Sequence, residues 1–227
     1  YNSVEERPVF PAVTSEEAAG AFEEPLPREG QDPHAILDEW TDKVLPHAVH
    51  TGSPRFFGFV IGSGTMMGTL AEALAASVNM NAGGWKAGPS ATEIERQTIR
   101  WVAELVGYPA SCGGLFTSGG TMANFTALLT ALRNTAPYDT TDQELQSQER
   151  EGRFLIYMAD HEGHISISKV ADMLNLGRAS VRRVPSREDL TMDPQALEGL
   201  IREDQAQGEH PFCVVAQVGA INTGGID

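Results

Sequence analysis

From about residue 110 onward the chain alternates short apolar runs with segments of helical periodicity, and this alternation restricts the possible folds more than any other feature. The strands it predicts are 115–117 (Leu-Phe-Thr), 154–159 (Phe-Leu-Ile-Tyr-Met-Ala), 181–184 and 212–218. Helices are predicted at about 121–133, 165–175 and 194–206, the last opened by Asp193-Pro194 as N-cap and first helical residue. Strands that are apolar throughout, rather than at every second residue, are buried on both faces. The class this implies is α/β, a mostly parallel sheet flanked by helices. In such sheets ligands collect outside the carboxyl ends of the strands. Three polar loops fall there: Ser118–Thr121, Asp160–His164 and Gly219–Gly224. One site fed by all three is the economical reading.

The first of these loops, Ser118-Gly119-Gly120-Thr121, carries a strand into a helix whose apolar residues Met122, Phe125, Leu128, Leu129 and Leu132 recur at helical spacing. Thr121 is the expected N-cap. Unpaired N–H groups and the positive end of the helix dipole make such a turn an anion site, and glycines let the backbone approach a phosphate closely. A plain capped turn is the alternative reading of the same residues.

Composition narrows the partners. The 227 residues carry a formal net charge of −15, which argues against nucleic acid and against an anionic membrane surface. No apolar run approaches the roughly 18 residues of a membrane span. Residues 1–7 have neither a basic nor an apolar signal region, and the two cysteines, Cys112 and Cys213, form no disulfide framework. Buried free thiols in a reducing cytoplasm are the expectation.

The first part of the chain reads differently. Residues 1–33 are acidic and proline-rich and suggest an extended arm that needs a surface to lie on. A short amphipathic helix is expected from Pro33 to Pro46. Residues 54–63 are apolar and punctuated by glycine, and a nearly uncharged helix is expected from Met66 to Asn79. Such a helix is buried on most faces, in a subunit interface or a domain core. Another helix is expected at Thr92–Val106, with Thr92 capping its first turn. The polar run 139–151 reads as a surface loop or helix. The domain division this suggests is 1–85, an N-terminal arm and helices serving a dimer interface, followed by 86–227.

His161-Glu162-Gly163-His164 invites comparison with a zinc site and fits one poorly. A zincin helix places its histidines four apart, whereas these are three apart in a loop. Two solvated histidines, or one histidine lining a ligand beside the anion site, are the remaining readings. The spacing of Gly62, Gly64 and Gly68 misses a dinucleotide fingerprint by one residue and opens no βαβ unit.

Five ordered motifs extend the reading. They are Pro54-Arg55-Phe56-Phe57-Gly58-Phe59; Trp85 with Pro89-Ser90-Ala91-Thr92-Glu93-Ile94-Glu95; Thr117-Ser118-Gly119-Gly120-Thr121-Met122-Ala123-Asn124; His161-Glu162-Gly163-His164-Ile165-Ser166; and Asn222-Thr223-Gly224-Gly225-Ile226-Asp227. In this order the chain resembles the group II pyridoxal-phosphate-dependent amino-acid decarboxylases, the aromatic-L-amino-acid and glutamate decarboxylase family, from Pro54 to Asp227. The resemblance implies the aspartate-aminotransferase-like fold (fold type I) and a homodimer with its active site at the subunit interface. It implies pyridoxal 5′-phosphate as cofactor and decarboxylation of an L-amino acid, with Phe59 leaning towards an aromatic or apolar substrate. By this match Gly119, Gly120 and Thr121 hold the cofactor phosphate. His164 stacks on the pyridine ring and assists protonation, while His161 points away. Phe59, Val60 and Gly62 line the substrate side, and Asn81, Gly83 and Trp85 reach the pocket from the partner subunit.

Two departures qualify the match. Where the family often has Gly-Thr-Thr, this chain has Gly219-Ala220-Ile221, so a hydroxyl contact is missing or is supplied by Asn222 or Thr223. The family's Schiff-base lysine and its pyridine-nitrogen aspartate correspond to positions after Asp227, and Lys43, Lys86 and Lys169 sit in no suitable context. The chain therefore resembles the first half of such an enzyme, needing the C-terminal half as partner. A related lyase, an aldehyde-forming oxidative variant and a non-catalytic interaction module are the alternatives.

Overall fold

The computed structural model describes residues 4–59, 61–109, 111–136, 152–161 and 163–227. They fall into two compact units, residues 1–80 and 81–227. The polar run 139–151 lies outside the described residues.

In the first unit the acidic arm is not extended throughout. Thr14 and Glu17 form a reciprocal capping box that starts helix α1, Ser15–Ala21. The residues before it lie on their own unit: Arg55 Nη2 donates to the carbonyls of Glu5 at 3.0 Å and Arg7 at 2.7 Å. Asp32 caps α2, Pro33–Glu39, which continues through a π-helical turn at Trp40–Val44 and a 3₁₀ turn at Leu45–His47. Pro46 is tolerated because it sits in the first turn of that last piece. Helix α3, Met66–Val78, is capped by the Thr65 hydroxyl and stopped by Asn79 in the left-handed conformation. None of its residues is buried, so it forms no domain core within this chain.

In the second unit α4 spans Pro89–Leu105. It starts three residues before the predicted Thr92, because Pro89 occupies the first position, where a missing N–H costs nothing. The Thr92 hydroxyl instead bonds back to the Gly88 carbonyl at 2.9 Å. Residues 115–117 are not the predicted buried strand. Leu115 and Phe116 are exposed, and the Phe116 N–H donates to Glu95 Oε1 at 2.8 Å rather than to a neighbouring strand. Helix α5, Gly120–Thr135, follows.

The sheet has the order β2-β1-β3, all parallel: β1 is Phe154–Ala159, β2 is Val181–Val184 and β3 is His210–Val215. β3 ends three residues short of the predicted 218, where an isolated antiparallel bridge pairs Val218 with Ile226. Central β1 is buried at all six positions. Its alternation divides the core in two. Phe154, Ile156 and Met158 pack with Leu128 and Leu132 of α5 and with Ile167, Val170 and Ala171 of α6, Ile165–Met173. Leu155, Tyr157 and Ala159 pack on the other face with Ala196, Leu197, Leu200 and Ile201 of α7, Pro194–Ala206. Each fully buried large side chain contributes about 1.5–3 kcal/mol, so two opposed apolar layers fix the register of β1. No described helix is long and apolar enough to cross a membrane. Cys112 and Cys213 are free and only partly buried, and burial pushes the Cys213 thiol up from its ordinary pKa.

Candidate active site

The carboxyl end of β1 runs through Asp160 and His161 to Gly163 and His164, then into α6. Glycine is required at 163: a Cβ there would lie 2.0 Å from Met158 Cε and 2.7 Å from the Ala159 carbonyl oxygen. The tight passage delivers His164 to the N-cap of α6. Its Nδ1 accepts the Ser166 N–H at 3.2 Å and lies 2.7 Å from the Ser166 hydroxyl. That hydroxyl oxygen accepts Nδ2–H of Asn124, in the second turn of α5, at 2.8 Å. With its one lone pair on Nδ1 committed, the neutral imidazole carries its proton on Nε2.

His164 lines a cavity of about 430 Å³ with His161, Gly163, Ile165, Gln217, Ile221 and Asn222. Two of the three predicted loops therefore meet; Ser118–Thr121 does not line this cavity, and only the helix it opens is joined to α6, by the Asn124–Ser166 bond. His161, expected to turn away, also lines this cavity, with its exposed side chain 3.9 Å from Asp160. The departure is local: among the described residues no bond equivalent to that of Ser166 draws His161 elsewhere. The Ser186 hydroxyl donates to Asp160 at 2.6 Å and holds that carboxyl below its ordinary range, joining the ends of β1 and β2.

The start of α5 differs from prediction in one respect. Gly119, not Thr121, is the N-cap, and no side chain caps the helix. The predicted cap would consume donors that the observed turn leaves for another acceptor. Gly119 and Gly120 have open space where a Cβ would stand. An uncapped helix start with two bare glycines suits a phosphate. A pyridoxal phosphate group therefore fits the donors present; Gly119, Gly120 and Thr121 do not line the His164 cavity, and the link between the two is the Asn124–Ser166 bond.

The remaining predicted residues serve other surroundings. Val60 lies outside the described residues. Phe59 has a positive φ of 60° and contacts Phe10 edge-on, and Gly62 lines a hollow with Phe56, Phe57 and Ile61 in the first unit. Asn81 accepts the Gly83 N–H at 2.9 Å, and Trp85 donates to Glu93 at 2.9 Å, before and within α4. None of them lines the His164 cavity. Thr223 uses its hydroxyl on the Gly225 N–H, whereas Asn222 reaches the cavity. Lys43 is gripped by Glu24 and Glu39, which hold its ammonium protonated well above the ordinary lysine range. An imine-forming lysine needs the opposite environment.

The sequence alone does not single out Gln217. The available signal is a long polar side chain two residues beyond an apolar strand, at the carboxyl end of the sheet where ligands gather. Asp227 likewise acts as a clamp, accepting the Met192 N–H at 2.6 Å and the Gln217 N–H at 3.0 Å.

Known proteins share this arrangement of elements. The chain is 31% identical over its whole length to an aromatic-L-amino-acid decarboxylase of Bacillus atrophaeus, of which it covers 45%. It is 26% identical to the 4-hydroxyphenylacetaldehyde synthase of Rhodiola rosea, and the crystal structure of that enzyme superposes with a TM-score of 0.86 over all of this chain and 49% of the other. The crystal structure of mouse CSAD in apo form, 28% identical, gives 0.87 over 96% of this chain and 45% of the other. The chain thus spans about half the length of the curated relatives it matches. These likenesses fix the fold as that of the fold type I decarboxylases. Since the model of the pyridoxal-dependent decarboxylase conserved domain matches residues 16–227, the chain belongs to the pyridoxal-dependent decarboxylase family.

Proposed function

We propose that this chain supplies the phosphate-binding and ring-stacking part of an enzyme that decarboxylates an L-amino acid, aromatic or otherwise apolar, to its amine and carbon dioxide. The observation that carries the reading is the link from the uncapped start of α5 through Asn124 and Ser166 to His164 at the cavity. Gly119, Gly120 and Thr121 bind the cofactor phosphate. His164 would stack on the ring, with Nε2 as its proton-exchanging atom. Pyridoxal phosphate, when bound, supplies the electron sink that stabilises the carbanion left when carbon dioxide departs. Phe59, Val60 and Gly62 are assigned to the substrate side. Asn81, Gly83 and Trp85 complete the pocket of a partner subunit in a homodimer. Activity requires the part of the family's length that this chain does not span, where the cofactor-binding lysine is expected.

An aldehyde-forming variant is the second reading, favoured by the likeness to an aldehyde synthase over the full chain. One screen tests both. The polypeptide of full family length is purified, its yellow absorbance and loss of that absorbance on borohydride treatment are recorded, and aromatic, acidic and diamino acids are supplied. Carbon dioxide with amine is expected. Aldehyde with peroxide would favour the second reading, and a protein that takes up no pyridoxal phosphate overturns both.

A further inference from the structure

Gln217 is the second residue of the loop that follows β3. Its Nε2 is buried and has no hydrogen-bond partner, the one such side-chain atom found among the described residues. An unpaired buried donor costs about 1–3 kcal/mol, and native proteins rarely keep one without a reason. A loose loop is not that reason. The Gln217 N–H donates to Asp227 Oδ2 at 3.0 Å, and its carbonyl accepts the Asp227 N–H at 2.9 Å. Val218 bridges Ile226, and the Gly219 and Ala220 N–H groups share the Gly225 carbonyl at 3.2 and 2.9 Å. The side chain thus projects from a closed, braced loop.

The same residue lines the cavity of His164. On this wall Ile221 brings no polar side-chain atom, and the Thr223 hydroxyl of the same loop is spent within its own turn. The side-chain polarity of the wall comes from Gln217 and Asn222.

We propose that Gln217 is a binding residue of this cavity, whose Nε2–H donates to the ring hydroxyl oxygen of bound pyridoxal phosphate. The inference rests on the cofactor reading above. Given that reading, the phosphate oxygens belong to the start of α5. The aldehyde oxygen leaves as water when the carbonyl condenses with an amine. The ring oxygen is the acceptor left, and a neutral carboxamide meets it without adding charge beside His164.

The test uses the full-length enzyme and titrates the apo form with pyridoxal 5′-phosphate and with its 3-deoxy analogue, which lacks the ring oxygen. Gln217→Leu is expected to weaken pyridoxal phosphate about tenfold, the equivalent of one hydrogen bond. Gln217→Glu, which keeps the shape and places a carboxylate against the oxygen, should weaken it further. The analogue should bind wild type and Gln217→Leu alike. Absorbance of the bound cofactor should shift in the Leu variant, a readout independent of turnover. Equal cofactor affinity and spectrum in wild type and Gln217→Leu overturn the proposal and assign the missing acceptor to the protein itself. A loss that persists with the analogue also overturns it, because the acceptor is then another atom. If wild type takes up no cofactor, the decarboxylase reading falls, and this inference with it.

Discussion

The hydroxyl of Ser166 stands 2.7 Å from Nδ1 of His164, so the second residue of α6 orients the residue that caps it. The carboxamide of Asn124 holds the same hydroxyl from α5. His161 lines the same cavity without an equivalent anchor. Replacing His164 by Ala should leave most of the cofactor bound, since the phosphate contacts remain, and lower kcat about 10²-fold, the scale for losing a positioned acid–base group. Ser166→Ala keeps the backbone bond to Nδ1 and should cost roughly tenfold or less by the same measure. The corresponding change at His161 should leave kcat nearly intact. Steady-state kinetics with cofactor occupancy measured in parallel checks all three, and equal losses at the two histidines would reverse the assignment.

Gly120 tests the phosphate site. No atom lies within 4 Å of the place its Cβ would take, so a side chain enters without a clash. Gly120→Asp sets a carboxylate among the first N–H groups of α5, where it caps the helix and repels a phosphate. The expected outcome is an unchanged circular dichroism spectrum and loss of pyridoxal phosphate from the purified protein. Normal occupancy would reduce this turn to an ordinary helix start.

The sheet was legible wherever burial alone decides the conformation. Phe154–Ala159 reads as a strand because both faces are covered, and Asp193-Pro194 marks the start of α7 at the observed residue. The failures share a cause. Leu115-Phe116-Thr117 has strand composition, yet a strand also needs a hydrogen-bonded neighbour, which no local pattern reports. Thr121 and Thr92 are good caps, but Gly119 and Pro89 start their helices earlier through backbone geometry. The Thr14–Glu17 box could have been read and was hidden by the acidic, proline-rich run around it. At the site, His164 and the glycines were legible as motif residues. The roles of Asn124, Ser166 and Gln217 depend on contacts across 42 residues or on an unmet bond, and neither appears in a sequence.

Asp204 is the one buried charged side chain among the described residues. It accepts the Tyr157 hydroxyl at 2.7 Å and pairs with Arg182 at 2.9 and 3.0 Å, tying α7 to β1 and β2. Asp204→Ala leaves two donors without it and should cost about 3 kcal/mol or more, while Tyr157→Phe should cost about 1–2 kcal/mol. Burial, and then the Asp204 carboxylate, push the Tyr157 hydroxyl well above the ordinary tyrosine value. A folded-state pKa above the unfolded one stabilises fully below the unfolded value and is lost as pH rises through the raised one. Wild type should therefore lose melting temperature above about pH 10, the unfolded tyrosine range. Tyr157→Phe should show a shallower alkaline decline, read from thermal melts at stepped pH.

Helix α3 presents Met66, Leu70, Leu74 and Val78 at four-residue spacing, with Met67 beside them, and each is more than half exposed. Four-residue spacing gathers them into one stripe, broken by no charge, since Glu72 is the only ionisable residue of the helix. Monomeric soluble proteins rarely leave such a stripe in water, because each large side chain gains about 1.5–3 kcal/mol on full burial. The homodimer proposed above would cover it. The double variant Leu70→Glu with Leu74→Glu retains helix propensity but places two like charges on each side of the covered stripe. In the full-length protein it should sediment as a monomer where wild type sediments as a dimer, whereas Glu72→Gln should leave the dimer intact. A double variant that remains dimeric would remove α3 from the subunit interface.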